Sequence, residues 1–61
     1  MKKRYMVVAL NDDLPPENNM EVLHLEAYGI KSAIKIATEM ITARYTIEPY
    51  KWEIVNVFKT I

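Results

Sequence analysis

The stretch from Gly29 to Tyr45 constrains everything else this chain can do. Wound at about 100° per residue, it puts Ile30, Ala33, Ile34, Ala37, Met40 and Ile41 on one stripe. Lys31, Lys35, Thr38, Glu39 and Thr42 fall on the opposite side. Ile36, Ala43 and Ile47 widen the apolar arc on one flank, and Arg44 falls near its centre. At the helix end an arginine stem can pack while its head reaches water and complements the C-terminal dipole. Gly29 suits the turn or the N-cap, and Ser32 in the first turn reads as a cap rather than a nucleophile. Pro49 forbids continuation and biases Glu48 towards extended geometry. No other segment is as long and as periodic, so the remaining elements must pack against this one.

Tyr5 to Leu10 (YMVVAL) is a short apolar run rich in strand formers. Tyr5, Val7 and Ala9 face one way, and Met6, Val8 and Leu10 the other. Apolar on both faces, it reads as a central strand. Asn11 to Asn19 is a loop, because Pro15-Pro16 cannot donate ladder bonds and Asn and Asp favour turns. Met20 to Tyr28 alternates: Leu23, Leu25 and Ala27 share one face, and Val22, His24 and Glu26 the other. It reads as a half-exposed edge strand with Glu21 on its apolar side. Tyr50 to Ile61 is a third strand, with Trp52, Ile54, Asn56 and Phe58 on one face and Glu53, Val55, Val57, Lys59 and Ile61 on the other. A bulge can shift this register midway, and the sequence does not place it.

The order is β-β-α-β. A hairpin followed by a returning helix gives an α+β fold: a three-stranded antiparallel sheet in the order 2-1-3, with one helix on one face. Residues 1–61 make one domain. A core this small rarely supplies more than ~3–5 kcal/mol without a disulfide, a metal or a partner chain. The chain has no Cys and one His, which leaves a partner as the expected helper and no cofactor or metal. Its 51% hydrophobic content excludes disorder. Eight basic residues balance eight acidic ones, unlike the basic surplus of a general nucleic-acid binder. No apolar run approaches the ~20 residues that span a bilayer. Met1-Lys2-Lys3-Arg4 resembles a signal-peptide start, but acidic residues follow Leu10, so the expected location is the cytoplasm.

One helix covers one face of such a sheet. The other keeps either Met6, Val8 and Leu10 or Tyr5, Val7 and Ala9, plus one set from the third strand, so that Val55, Val57 and Phe58 are all candidate contact residues until the face is known. An uncovered apolar face of this kind is the expected interface with a protein partner or a second copy. The topology also gathers Lys2, Lys3, Arg4, Lys31 and Lys59 at one end, and Asp12, Asp13, Glu17 and Glu48 at the other, diluted by Arg44 and Lys51. Asp12, Asp13 and Glu17 join the candidate contact residues as an acidic loop that steers a basic partner.

Catalytic chemistry is missing. His24 has only Glu26 nearby on its strand, and a single Gly makes no phosphate loop. Tyr5, Tyr28, Tyr45, Tyr50, Trp52 and Phe58 include candidates for a base-stacking platform. With Lys2, Lys3 and Arg4 they define an alternative reading as a nucleic-acid-associated module.

Three stretches carry a family resemblance: Leu25-Glu26-Ala27, the helix Ser32-Ala33-Ile34-Lys35-Ile36-Ala37, and Trp52-Glu53-Ile54-Val55-Asn56-Val57. From about residue 5 to residue 59 the chain resembles small ββαβ accessory proteins of bacteriophages, distantly including a short inhibitor of bacterial RNA polymerase. The resemblance implies the same fold and a non-enzymatic modulator or inhibitor of a host protein. Basic side chains that contact polymerase in that inhibitor are matched here by Asn56 and Phe58.

Overall fold

The structure, a computed structural model, describes residues 1–48 and 51–60. Pro49, Tyr50 and Ile61 lie outside the described residues, and with them the expected stop signal and the two ends of the third strand. The elements are β1 (Lys3–Leu10), β2 (Met20–Ala27), α1 (Ile30–Arg44) and β3 (Glu53–Thr60). The sheet runs β2-β1-β3 and both pairings are antiparallel. This is the expected α+β, ββαβ arrangement, with the strand that is apolar on both faces in the middle.

Parity then decides which face meets the helix. β2 offers one apolar side, Leu23, Leu25 and Ala27. Its register with β1 pairs Leu25 with Tyr5 and Leu23 with Val7. Opposite residues in an antiparallel pair share a face, so Tyr5, Val7 and Ala9 lie under α1. All three are buried, together with Leu23, Ala27, Ala33, Ala37, Ile41 and Trp52.

The helix buries less of its stripe than periodicity suggests. Ala33, Ala37 and Ile41 are buried, whereas Ile30, Ile34 and Met40 are exposed. Two causes act together. Ala33 and Ala37 are small and let the helix sit close to the sheet. Three strands at ~4.8 Å spacing give a platform only about 14 Å across, so side chains off the central line overhang its edges. Ile36, on the flank, packs beside Tyr5, Ala27 and Ala33. Gly29 is the N-cap in extended geometry, and no side chain bonds the first turn, so Ser32 is not a cap. Thr38 and Thr42 donate their hydroxyls to Ile34 and Thr38 carbonyls, both at 2.8 Å, on the solvent side.

β3 carries a bulge, at Val55. β1 advances one residue from Val8 to Ala9 while β3 steps from Asn56 to Ile54. The extra residue reverses parity along β3. Ile54, opposite Ala9, and Val57, opposite Val7, both pack against the core under the helix. Phe58 stands opposite Met6, and Asn56 opposite Val8, on the other face. Two expectations change accordingly. Trp52 and Ile54 do not share a face with Asn56 and Phe58, and Val57 is not on the uncovered side.

The β1–β2 loop is compact although nine residues long. Asn11 is buried and organises it: its N–H donates to Asn19 O at 2.9 Å and its Oδ1 accepts from Asp13 N–H at 3.0 Å. Leu14 N–H reaches the Asn11 carbonyl at 3.2 Å. After the helix, Glu48 adopts φ 56°, a left-handed conformation rather than the extended one expected before proline. The Lys51 N–H donates to the Glu48 carbonyl at 3.1 Å.

Candidate functional site

The face of the sheet away from α1 is open. Its residues follow from register, in four rows across β2, β1 and β3. Met20, Leu10 and Glu53 form the first row, and Val22, Val8 and Asn56 the second. His24, Met6 and Phe58 form the third, and Glu26, Arg4 and Thr60 the last. The three central-strand side chains Met6, Val8 and Leu10 are half-buried by their neighbours. Around them Met20, Val22, Val55 and Phe58 are 57%, 40%, 49% and 43% exposed, so the apolar area continues across all three strands. Three rows of same-face residues ~6.8 Å apart, on strands ~4.8 Å apart, cover a few hundred Å². Glu53, Asn56 and His24 interrupt the apolar part of that area, which is the size of the largest patch on an ordinary soluble domain, a patch that is often functional.

The acidic residues border this face at one end. Asp12 and Asp13 line a shallow depression with Leu10, Lys51, Glu53 and Val55. Asp13 is ion-paired to Lys51, which also lies 3.8 Å from Glu48. Glu17 is exposed in the loop and does not line the depression. At the far end Arg4 lies 3.9 Å from Glu26, both well exposed. Lys2 sits over the Tyr28 ring, 5.8 Å from its centroid. Lys3, opposite Ala27, and Lys59, opposite Tyr5, lie at the same end but on the helix side, and Lys31 is in the first turn of α1, so Arg4 is the basic residue of that end that falls in the open-face rows.

Of the candidate contact residues, the structure brings together Met6, Val8, Leu10, Asp12, Asp13, Val55 and Phe58. It moves Val57 to the covered face. Met20 and Val22 join the patch without having been singled out, although the parity of β2 against β1 is their signal. Among the described residues, which leave out Tyr50, the aromatic side chains do not make a platform. Tyr5 and Trp52 are buried, Tyr45 is half-buried, and only Phe58 lies in the open-face rows. Among the described residues no group of three or more His, Asp and Glu is placed to hold a metal ion. No helix among them is long and apolar enough to cross a membrane.

Behind this face, a polar cluster locks the helix end to the sheet. Glu21 Oε2 accepts from Arg44 Nη1 at 2.7 Å and from the Tyr45 hydroxyl at 2.9 Å. The Tyr45 ring lies 4.7 Å from that of Trp52, tilted by 30°. Arg44 therefore ends in an ion pair rather than free in solvent. Its hydrogen bond and charge interaction with Glu21 hold its pKa above the usual value. Burial, and then the Glu21 carboxylate, push the Tyr45 phenol above its ordinary value near 10. A folded-state pKa raised in this way favours the protonated form in the native state. The linked stability is whole below the ordinary phenol value and is lost as pH rises through the raised one. Urea midpoints should therefore fall above about pH 10 in the wild type. Tyr45→Phe should flatten that alkaline limb and cost about 0.5–1.5 kcal/mol at pH 7 through the lost hydrogen bond. An unchanged alkaline slope in Tyr45→Phe would rule this linkage out.

No protein-family model, curated protein or solved structure matches the chain.

Proposed function

We propose that this is a non-enzymatic protein-binding module of the bacteriophage accessory type, working in the host cytoplasm as a modulator or inhibitor of a host protein. The observation that carries the reading is the apolar area of Met6, Val8, Leu10, Met20, Val22, Val55 and Phe58 on the side of the sheet that α1 leaves open. Its charged ends orient the approach: the Asp12–Asp13 end attracts basic surface and the Lys2–Arg4 end acidic surface. The burial of Tyr5 and Trp52 under the helix, among the described aromatic residues, favours protein over nucleic acid as the partner. RNA polymerase is the first host protein to try, on the strength of the family resemblance alone.

The experiment is capture on the tagged chain from bacterial lysate and, in parallel, with purified RNA polymerase. Three forms are compared: wild type, the open-face variant Val22→Asp, and a control on the solvent side of the helix, Thr42→Glu. The reading expects one host protein held stoichiometrically by wild type and control, with at least tenfold less held by Val22→Asp. Binding should persist at ~0.5 M salt, where a phosphate-driven contact weakens steeply. Equal capture by all three forms, or recovery of nucleic acid that is lost with salt, would refute it.

A further inference from the structure

We propose that the outer edge of β2 is a second binding surface, which takes an extended peptide segment of another protein as a fourth strand of the sheet. It stands apart from the reading of the open face, because main-chain groups rather than apolar side chains carry it.

Hydrogen-bond parity decides which groups point outward. The Asn11 N–H donates to the Asn19 carbonyl, and continuing the β1–β2 register sets these two residues opposite each other. Bonded rows alternate with unbonded ones in an antiparallel pair. Ala9–Glu21, Val7–Leu23, Tyr5–Leu25 and Lys3–Ala27 are therefore the bonded rows. Met20, Val22, His24 and Glu26 turn their N–H and C=O groups away from β1, to an edge that no strand covers. Among the described residues no turn, loop or side chain bonds these four N–H groups.

The opposite edge is closed. The same alternation turns Val57 and Lys59 outward on β3. There Val55 bulges out of the ladder, the Asn56 side chain accepts the Val57 N–H at 3.1 Å, and Lys59 adds a charge. Bulges and lysines are common means by which sheet edges avoid pairing with other chains. β2 has neither, and no Pro or Gly interrupts it. Its one carboxylate on the helix side, Glu21, is ion-paired with Arg44 at the start of the strand.

Outward N–H and C=O pairs repeating every ~6.8 Å match the backbone of another extended chain, and pockets for its alternate side chains then set specificity. Such a pocket lies beside this edge. Ala27, Tyr28 and Ile36 line a depression between β2 and α1, together with Lys35 and Glu39. An aliphatic side chain on the helix side of the added strand enters it, while the next residues lie beside His24 and Val22 on the open face. A second copy of β2 is the poorer occupant. Pairing β2 with itself over all four outward positions sets Met20 against Glu26 and Val22 against His24, apolar opposite polar in each row.

The test is selection from a displayed library of random octapeptides on the immobilised full chain, then titration of the most enriched octapeptide into isotope-labelled protein. Enriched sequences should alternate apolar with polar residues and lack Pro. Without peptide, the Val22, His24 and Glu26 amides should exchange quickly with solvent, and those of Leu23 and Leu25 slowly. Saturating octapeptide should slow at least two of the first three amides tenfold or more. His24→Pro removes an outward donor and leaves the β1 ladder intact, a substitution that edge strands tolerate. It should bind the octapeptide at least tenfold more weakly, while His24→Ala and Phe58→Asp bind within about twofold of wild type. The exchange measurement uses the unaltered chain and decides the matter even where His24→Pro does not fold. No enrichment, protection confined to β3 or to side chains of the open face, or equal binding by a folded His24→Pro overturns the edge site. A wild-type dimer with the same amides protected overturns the choice of occupant. Phe58→Asp separates the two surfaces: it should lose capture of a host protein on the open face and keep the octapeptide.

Discussion

Replacing Trp52 by Ala should leave the chain largely unfolded at 25 °C in the absence of a partner. The core that Trp52 joins contains Val7, Ala9, Leu23, Ala37 and Ile41. Two of those five are alanines, so the indole supplies a large share of the buried apolar volume. It also stacks on Tyr45, whose hydroxyl ties Glu21 of β2 to the end of the helix. Truncating a buried Trp to Ala typically costs about 3–5 kcal/mol. A core in a chain this short supplies about the same amount in total. The two magnitudes are equal, and so the folded population should collapse. Trp52→Phe should be much milder, because a ring remains to stack on Tyr45 and only part of the volume is lost. Far-UV circular dichroism against urea is the appropriate readout, since the only Trp fluorophore goes with the mutation. A cooperative Trp52→Ala transition within ~0.5 M urea of the wild-type midpoint would show that the core does not depend on this residue.

Why the sequence yields the topology so readily but not the site follows from where each kind of information sits. Strand and helix periods are local. YMVVAL is apolar on both sides and must lie centrally, and a single helix of this length returns the chain so that β3 pairs beside it. The charged ends follow from element order alone. The face assignment needs relative parity between β1 and β2, and a nine-residue loop does not transmit it. Asn11 sets the loop by bonding Asn19 and Asp13, a set of contacts no pattern announces. The Val55 bulge is equally silent. It lies in Ile54-Val55-Asn56-Val57, with no Gly or Pro to mark it, among residues that suit a strand in either register. The Arg44–Glu21 pair joins residues 23 apart in sequence, and neither carries a local sign of the other. The stripe of isoleucines on the helix misled for a different reason. Periodicity reports which way a side chain points, whereas burial depends on how wide the opposing surface is, and three strands are narrow.

The bulge leads to the most discriminating pair of substitutions. Val57 and Phe58 are neighbours on β3, and a uniform two-residue alternation running back to Trp52 would put Phe58 with Trp52 and Ile54, and Val57 on the other side. With Val55 as the extra residue the assignment inverts: Val57 lies over the core opposite Val7, and Phe58 lies on the open face opposite Met6. Val57→Asp should then place a carboxylate beside Val7, on the side of β3 that packs against the core. Loss of the apolar contact and the desolvation of an unpaired polar group each cost about 1–3 kcal/mol. Their sum is close to the whole stability of so small a domain. Phe58→Asp should retain the far-UV spectrum and a urea midpoint within about 1 kcal/mol of wild type, because position 58 is already in contact with water. Its effect should instead appear in association, as at least tenfold weaker binding to any partner that covers the open face, since aromatic anchors dominate such interfaces. The two readouts cross: one variant loses the fold, while its neighbour keeps the fold and loses the surface. If Phe58→Asp unfolds and Val57→Asp does not, β3 runs without the bulge. The faces of the strand then exchange, and Phe58 leaves the binding surface while Val57 returns to it.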